Sequence, residues 1–341
     1  MTMKYKCYLR ILALALLSMW AGTVQAQYRQ VIEEHFSVSP GEQLQVEVAH
    51  ADVMLHTHQS PSVEVVVSMD AEDWEQAEKL LRKLDFQIER TSEGVSIVTR
   101  KISNVVGFWD LWRLVFGQRR VGIRVEVTVP EQFSLNVSTS GGDVEVERIR
   151  GEAKIRTAGG DITFDRIQSP SWVQIATAGG DIEGVVLRGE EVEVKTAGGD
   201  IEIHEVEGEN IQIKTAGGDI EIVKWRGNGD AHTAGGDIVV EEVEGDLEAK
   251  TMGGDVEVFL KKPGHIVLST TGGDIDIFMP PMVGAKLYFR GGRVLIASDF
   301  TFRGMLEKDE AEGEINGGGE AYIEARTFGG VIRLRSRKAA L

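Results

Sequence analysis

Eight aspartates that each follow a pair of glycines are the residues of this chain whose type and spacing could do chemistry. They are Asp143, Asp161, Asp181, Asp200, Asp219, Asp237, Asp255 and Asp274. Successive members of the set stand 18 to 20 residues apart. Carboxylates repeated at such an interval could hold a row of Ca²⁺ ions, together with carbonyl oxygens of the turns. They could instead close each turn by accepting a hydrogen bond from a backbone N–H group.

The sequence around these aspartates favours the turn-closing role over the calcium role. Calcium-binding β-rolls carry a nonapeptide that begins Gly-Gly-x-Gly-x-Asp and occurs twice in each coil. This chain lacks the third glycine and supplies one aspartate per repeat. We therefore predict no cofactor and no metal, and the eight aspartates are the candidate ligands in the alternative calcium interpretation.

The aspartates belong to a repeated hexapeptide, Thr-Ala-Gly-Gly-Asp-Ile, that organises most of the chain. Complete copies begin at Thr157, Thr177, Thr196, Thr215 and Thr233. Variant copies occupy residues 140–143, 251–256 and 271–275, and weaker echoes occupy 291–293 and 327–331. Residues 49–53 (Ala-His-Ala-Asp-Val) resemble a worn copy without the glycines. Recurrence at a fixed period of about 19 residues indicates a repeat architecture.

Between the motifs, apolar and charged residues alternate with a period of two. In residues 192–195 (Val-Glu-Val-Lys) the valines would face the core and the charged side chains the solvent. A second turn, marked by Gly189, Gly208, Gly227 or Gly245, divides each repeat into two strands. One such unit cannot bury its apolar edge alone, but stacked copies share a continuous core. The chain is therefore predicted to be all-β, a β-solenoid (β-helix) with coils of about 19 residues.

The sequence of the corner supports two further predictions. A Gly-Gly corner repeated in register needs positive φ angles or a close approach between backbones. The threonine before each Ala-Gly-Gly has the strand parity of the apolar residues, so its hydroxyl should point inward. That hydroxyl would bond either the next threonine or a backbone group.

Two segments depart from the repeat, and both lie in its N-terminal part. Residues 27–130 are predicted to form a β-rich cap region, and residues 131–341 the solenoid, with 280–341 as its last coils. Residues 70–84 have apolar side chains at helical spacing, with Asp70 as a plausible N-cap, and predict one helix. Residues 102–118 are nearly all apolar and form an insert.

The insert could contact a partner or a membrane surface. Its large apolar side chains are those of Phe108, Trp109, Trp112 and Phe116. It is too short to span a bilayer. It would either plug one end of the core, because terminal repeats need caps, or form a contact patch over residues 105–116 with basic residues nearby.

The first 26 residues have the pattern of a signal peptide. Lys4, Lys6 and Arg10 precede an apolar run from Ile11 to Trp20, and Val24-Gln25-Ala26 suits cleavage. Removal of this segment would remove the only cysteine, Cys7. We therefore expect an exported protein without disulfides, in the periplasm, at the cell surface or secreted.

The charge of the chain limits its partners. Asp and Glu number 54 against 37 Lys and Arg, a net charge of −17. Nucleic acid is unsuited as a partner because its phosphates attract clustered bases. An acidic rod could simply stay soluble and unstacked, or it could offer a surface to a cationic partner.

The Thr-Ala-Gly-Gly-Asp-Ile repeats, together with residues 38–41 (Val-Ser-Pro-Gly) and 316–319 (Asn-Gly-Gly-Gly), resemble the bacterial putative adhesin family. This is a domain-of-unknown-function group of β-strand-repeat proteins, and the resemblance covers roughly residues 30–336. It implies a β-helical fold and an exported or envelope location.

We expect a non-enzymatic exported protein that acts through its surface, adhesin-like, on a protein or glycan partner. One alternative is a periplasmic structural or signalling partner that docks through the insert. Another is a polysaccharide-acting enzyme, which a cleft lined by several carboxylates and a basic residue would favour. No nucleophile motif is present in the sequence. His56 and His58 share a strand face and could bind a metal, although no supporting motif accompanies them.

Overall fold

A computed structural model describes residues 29–71, 84–101 and 121–337 of the protein. These residues form 25 β-strands and no helix. Within this part of the chain there is accordingly no helix that could cross a membrane. The all-β prediction is confirmed.

The first nine strands run up to the first full corner repeat. They are β1 (Arg29–Ser37), β2 (Gln43–Val48), β3 (Asp52–His58), β4 (Ser62–Ala71), β5 (Leu84–Arg90), β6 (Gly94–Lys101), β7 (Val121–Pro130), β8 (Ser134–Thr139) and β9 (Val144–Arg150). The repeat coils contain β10 (Ala153–Arg156), β11 (Ile162–Gln168), β12 (Trp172–Ala176), β13 (Ile182–Arg188), β14 (Glu191–Lys195), β15 (Ile201–Lys214), β16 (Ile220–His232), β17 (Ile238–Lys250), β18 (Val256–Thr270) and β19 (Ile275–Met279). The last six are β20 (Ala285–Arg290), β21 (Arg293–Ile296), β22 (Phe302–Leu306), β23 (Glu310–Ile315), β24 (Ala321–Thr327) and β25 (Val331–Ser336).

Each coil contributes one strand before the Gly-Gly corner and one after it, so the coils build two facing sheets. We call the first the leading sheet and the second the trailing sheet. In the leading sheet β8, β10, β12 and β14 pair in parallel, and in the trailing sheet β9, β11 and β13 do the same. Strands β15 to β18 run through the second turn and belong to both sheets. This is the β-solenoid that the repeat predicts.

The core lies between the two sheets and follows from the alternation in the sequence. In β14, Val192 and Val194 are buried while Glu191 is exposed. Each inward residue stacks on its counterpart in the next coil, as in the row Ile162, Ile182, Ile201, Ile220 and Ile238. All five side chains are essentially inaccessible to solvent. A single hydrophobic cluster runs from β2 to β25.

The second turn is marked by stacked glycines, as predicted. Gly208 pairs with Gly227, which pairs with Gly245. Gly227 and Gly245 have φ of +119° and +124°, which a residue with a side chain rarely adopts. In the next coil Pro263 takes this place, where its missing N–H is tolerated because the sheet bends.

The N-terminal region continues the solenoid instead of forming a separate layer. Strands β2 and β3 pair with β8 and β9, so residues 43–58 form the coil next to the first repeat. Strands β6 and β7 form the coil beyond it. Antiparallel strands finish this end: β5 on β6, and β4 followed by β1 on β7.

The C-terminal end departs from the order that the sequence period indicates. Residues 291–293 fall one period after the last Gly-Gly-Asp corner, yet their coil is not the next in space. The coil of β24 and β25 pairs with β18 and β19, and the coil of β20 and β21 lies outside it. The acidic segment 307–314 belongs to the β22–β23 hairpin, which pairs antiparallel with β20.

The predicted helix over residues 70–84 is wrong at both of its ends. Asp70 and Ala71 complete β4, where they pair with Gly122 and Val121, and Leu84 opens β5. Pairing with β7 overrides the capping preference of Asp70, since a strand in a sheet satisfies its backbone there. Residues 72–83, the insert 102–118 and the signal peptide 1–26 lie outside the described residues.

Candidate functional site

The eight corner aspartates form a continuous ladder of hydrogen bonds between coils. The Oδ1 atom of each accepts the backbone N–H of the residue at the same position one coil later, at 2.7 to 2.9 Å. The turn-closing role is thus seen, with one difference: the N–H belongs to the next coil and not to the aspartate's own turn. We call this set, with Asp52 as its first member, the aspartate ladder.

Asp52 is a further member of the ladder, although no pair of glycines precedes it. Its Oδ1 accepts the N–H of Asp143 at 3.2 Å, as every later rung does. The signal was present in the worn copy at residues 49–53, whose aspartate keeps the position although the glycines are gone.

A second ladder runs along the buried side of the same corners. From Thr157 onward, each threonine hydroxyl donates to the carbonyl of the second corner glycine in the neighbouring coil, as Thr196 does to Gly180 at 2.9 Å. The same oxygen accepts the N–H of the second glycine of its own corner, as from Gly199 at 3.3 Å. At the start of the series, Thr139 donates to the carbonyl of Ala51. The threonines are therefore bonded to backbone and not to one another. We call this the threonine ladder; it runs from Thr139 to Thr327.

The second glycine of each corner is required by close approach between coils. A Cβ added to Gly199 would lie 2.1 Å from the carbonyl oxygen of Gly180 and 2.4 Å from Oδ1 of Asp181. A Cβ on the first glycine, Gly198, would meet nothing closer than 3.6 Å. None of the doublet glycines has a positive φ, so of the two reasons expected for the glycines, close approach is the one that applies.

The aspartates that would bind Ca²⁺ in the calcium alternative already accept hydrogen bonds within the protein. One oxygen of each carboxylate is bonded to backbone, and at Asp274 the second oxygen accepts from Arg333 at 2.8 Å. In the described ranges, no three side chains of His, Cys, Asp or Glu are grouped to hold a metal ion. Each carboxylate of the ladder thus fixes the register of its coil relative to the next coil.

The last rung of the ladder carries the clearest electrostatic perturbation. The N–H of Val331 and, secondly, the guanidinium of Arg333 lower the pKa of Asp274. Arg333 also contacts Asp276 at 3.1 Å. These contacts join the coil of β25 to that of β19, so the charge of Asp274 holds the C-terminal coil in place.

Outward carboxylates line the trailing sheet beside the aspartate ladder. The row comprises Glu145, Glu183, Glu202, Glu221 and Glu257, in register from coil to coil. All five side chains are exposed, and none has an ion-pair partner among the described residues. Thr163 and Val239 interrupt the row. We call it the carboxylate row.

Farther from the corner, acidic side chains of the trailing sheet are paired with basic side chains. Glu205 accepts from Arg188 at 2.5 Å and from Arg226 at 3.2 Å, and these bonds lower the pKa of Glu205. Lys261 lies 3.3 Å from Glu242 and 3.1 Å from Glu244. Free negative charge is thus concentrated on the corner side of this sheet.

The leading sheet carries bases next to the corner, each beside an acid. Lys195, Lys214, His232 and Lys250 follow one another in register. Lys195 pairs with Glu193, Lys250 with Glu248, and Lys214 with Asp230 at 3.1 Å. Near the corner, the carboxylate row of the trailing sheet is thus unpaired within the described residues, whereas these four bases of the leading sheet each lie beside an acid.

Two shallow cavities lie at the second-turn edge of the first coils. The first, of about 420 Å³, is lined by Glu42, Glu93, Glu152 and Trp172 with no basic residue. The second, of about 510 Å³, is lined by Arg150 and Glu152 with Pro40, Gly151 and Pro170. Neither combines several carboxylates with a base, the arrangement that would favour the enzyme alternative.

The remaining candidate residues are dispersed or undescribed. Nδ1 of His56 is 2.9 Å from Glu147, and Nε2 of His58 is 2.8 Å from the carbonyl of Ser62. The two histidines thus have separate protein partners. The His56 bond lowers the pKa of Glu147. Phe108, Trp109, Trp112 and Phe116 lie outside the described residues.

Stacked coils pinned at every corner by an aspartate and a threonine define a β-solenoid built from Gly-Gly-Asp repeats. The sequence profile of the Toastrack DUF4097 family matches residues 42–286. That span is more than half of the 341 residues, and the chain belongs to this family. The resemblance to a putative adhesin family of unknown function, expected from the repeats, is confirmed.

The chain is also similar to solved structures. It is similar to a putative adhesin from Bacteroides fragilis NCTC 9343 at 10% identity, covering 92% of this chain and 98% of that one, with a TM-score of 0.36. A putative cell adhesion protein from Clostridium sporogenes ATCC 15579 gives 11% identity, 91% and 100% coverage and a TM-score of 0.15. A putative adhesin from Parabacteroides distasonis ATCC 8503 gives 10%, 92%, 98% and 0.26. No curated protein matches the chain.

Proposed function

We propose that this protein is an exported, non-enzymatic β-solenoid that binds a partner through the outward faces of its rod, in the manner of an adhesin. The observation that carries the proposal is that the corner side chains and the outward side chains have different roles. The polar groups of the corners are used in bonds between coils, whereas many outward polar groups have no partner among the residues that the structure describes. A rigid rod with free outward groups is suited to surface recognition.

Membership of the Toastrack family supports the proposal, since the family groups with putative adhesins of unknown function. The uniform short corners support the non-enzymatic part, because catalytic clefts on repeat folds need longer loops or converging groups. The basic and apolar N-terminus followed by a small-residue site supports export.

Export is tested by cell fractionation of the full chain and of a variant lacking residues 1–26. We expect the full chain in the periplasmic, surface or secreted fraction and the shortened chain in the cytoplasm. The same distribution for both chains would contradict export through this segment.

Binding is tested by titrating fluorescently labelled protein onto cells of the producing species and onto their isolated envelope. We expect saturable, reversible binding that excess unlabelled protein displaces. Binding that rises linearly without saturation would reject the adhesin-like function. Release of soluble products from a panel of polysaccharides would instead establish the enzyme alternative.

A second candidate retains the protein in the periplasm as a docking partner through residues 105–116. It is favoured by the position of the insert, because β6 ends at Lys101 and β7 begins at Val121 in the coil near the N-terminal end of the rod. Flotation with liposomes, comparing the wild type with a Trp109→Ser, Trp112→Ser variant, tests the membrane version. Flotation of neither protein would end it.

A further inference from the structure

The repeat coils contain two tryptophans with opposite surroundings. Trp225 is fully buried, and its indole N–H lies 3.3 Å from the carbonyls of Gly227 and Asp246. Trp172 begins β12 and faces outward from the leading sheet, half-buried. Across the described ranges its indole N–H meets no acceptor. Packing explains Trp225, but it does not explain a large aromatic ring on an outward strand position with an unused donor.

Side-chain amides gather on the same face of the leading sheet. They are Gln43, Gln45, Asn136, Gln174 and Asn210. In the described part of the chain none of these side chains makes a hydrogen bond within the protein. Each amide both donates and accepts, so together they present unused groups of both kinds.

Strand register places these amides and Trp172 in two adjacent rows. In the first row Gln43 neighbours Ser134, and Trp172 neighbours Glu191, which neighbours Asn210. In the second row Gln45 neighbours Asn136, and Lys154 lies between Asn136 and Gln174. Lys154 is the one base in these two rows, and it has no ion-pair partner among the described residues. Because parallel strands are about 4.8 Å apart, the face spans roughly 24 Å from Gln43 to Asn210. We call this surface the Trp172 face.

The charge beside the indole is negative. Glu42, Glu93 and Glu152 line the cavity next to Trp172, and no basic residue lines it. Arg90 engages both oxygens of Glu42 at 2.7 Å. Glu93 and Glu152 have no partner among the described residues. With exposed Glu191 beside Trp172, the carboxylates of the face outnumber its one base, Lys154, so the face as a whole repels anionic ligands. Free carboxylates are also good acceptors for hydroxyl groups.

We propose that the Trp172 face binds a neutral oligosaccharide. The apolar C–H face of a sugar ring would lie on the indole, and its hydroxyls would pair with the amides and with Glu93 and Glu152. The excess of carboxylates over the single base Lys154 disfavours uronic acids and phosphorylated sugars. A cationic peptide has a better site on the trailing sheet, where the carboxylate row is unpaired and carries no indole. This inference rests on the proposed function and names its partner class.

The test is a glycan array that contains neutral, amine-bearing and uronic-acid oligosaccharides, probed with the purified protein. Calorimetric titration with the best neutral ligand then gives the affinity. We expect binding to neutral glycans only. Trp172→Ala should weaken it about tenfold or more, as truncation of an aromatic anchor does. Trp172→Tyr should retain most of the affinity, because a tyrosine ring can still stack.

The matched control is Phe328→Ala. Phe328 is 89% exposed and sits at a corner near the other end of the rod, so its loss should leave glycan affinity unchanged. Equal thermal stability of the Trp172 and Phe328 variants would show that the fold is intact. The proposal is overturned if no neutral glycan binds, if charged glycans or basic peptides bind instead, or if Trp172→Ala binds as the wild type does.

The two proposals fail in distinguishable ways. If saturable cell binding persists in Trp172→Ala, the adhesin-like function stands and the Trp172 face is the wrong site. If the wild type shows no cell binding at all but binds neutral glycans on the array, the glycan site stands and the adhesin-like role is lost.

Discussion

The central coils and the two ends of the rod are built by different rules. From β8 to β19 the coils stack in the order of the sequence, and each corner repeats the same aspartate and threonine bonds. At each end, one coil is inserted out of order and antiparallel strands close the sheets. The coil that is outermost along the chain's path is thus not the one outermost in space.

This difference shows what a sequence period can and cannot specify. In the centre, a coil has only one neighbour within loop reach on each side, so the repeat determines the stacking. At the ends, the chain skips one position. The loop 131–133 leads from β7, on one side of the β2–β3 coil, to β8 on its other side, and the loop 280–284 passes the β24–β25 coil in the same way. A later coil fills that position at the C-terminal end, and an earlier coil fills it at the N-terminal end. Each of these coils pairs with a neighbour on both sides, so its strand edges are not left unpaired. The ends are thereby interlocked with the rod.

The largest effect should come from overpacking a central corner. Gly199→Ala would place a methyl group 2.1 Å from the carbonyl oxygen of Gly180. That oxygen belongs to the backbone, so it cannot move aside as the end of a flexible side chain could. We expect a loss of about 3 kcal/mol or more in the free energy of unfolding, measured by urea denaturation. The neighbouring Gly198→Ala, with 3.6 Å of clearance, should cost less than about 1 kcal/mol. Equal costs for both would contradict the close-approach explanation.

Removal of one threonine hydroxyl should have the next largest effect. Thr196→Val keeps the shape but leaves the carbonyl of Gly180 and the N–H of Gly199 without their bonds. We expect about 1–3 kcal/mol of destabilisation in the same assay. Thr196→Ser, which keeps the hydroxyl, is the control and should lose clearly less. The equivalent Thr327→Val should mainly loosen the coil of β24 and β25, which faster amide exchange in that coil would reveal.

Acid should weaken the C-terminal end through Asp274. The folded pKa of Asp274 is lowered by the N–H of Val331 and by Arg333. Its charge therefore stabilises the fold above the unfolded pKa of about 3.9, and the contribution is lost as pH falls through the folded value. Asp274→Asn should cost up to about 1 kcal/mol near pH 6, since the pair is partly exposed and screened. The cost should shrink as pH falls through the folded pKa of Asp274, and a cost independent of pH would contradict this explanation.

The smallest effect is expected on the leading sheet. Lys214 and Asp230 are 3.1 Å apart, but both are partly exposed. Lys214→Met should change the free energy of unfolding by less than about 0.5 kcal/mol. A cost as large as that of Thr196→Val would mean that surface pairs, and not the corner ladders, hold the coils in register.

The sequence predicted the centre of the molecule well because its evidence is local and repeated. Two strands per coil, the glycine-marked second turn and the inward valines and isoleucines all follow from the period and the alternation. The threonine parity also indicated an inward hydroxyl. The partner of each aspartate was harder to predict. The sequence pattern is the same whether the aspartate bonds to the next coil or within its own turn.

The ends could not be predicted for a physical reason. The choice of neighbour there depends on pairing between strands far apart in sequence, such as β18 with β24, which no local pattern encodes. Asp70 has a good capping residue type, yet pairing with Gly122 makes it part of a strand. Trp172 cannot be singled out from the sequence, because a single aromatic in an alternating strand has no signal until its outward neighbours are known.

Cross-linking across the last coils tests the out-of-order ends most directly. Asp276 pairs in register with Arg333, and Arg333 pairs with Leu295, whereas residues 276 and 295 are one sequence period apart. In a chain with Cys7→Ser, mild oxidation should join cysteines at 276 and 333, and at 295 and 333, because neighbouring strands lie about 4.8 Å apart. Cysteines at 276 and 295, about 9.6 Å apart across an intervening strand, should stay unlinked. Efficient linking of 276 to 295, with none of 276 to 333, would show that the coils follow the sequence order and would contradict the account.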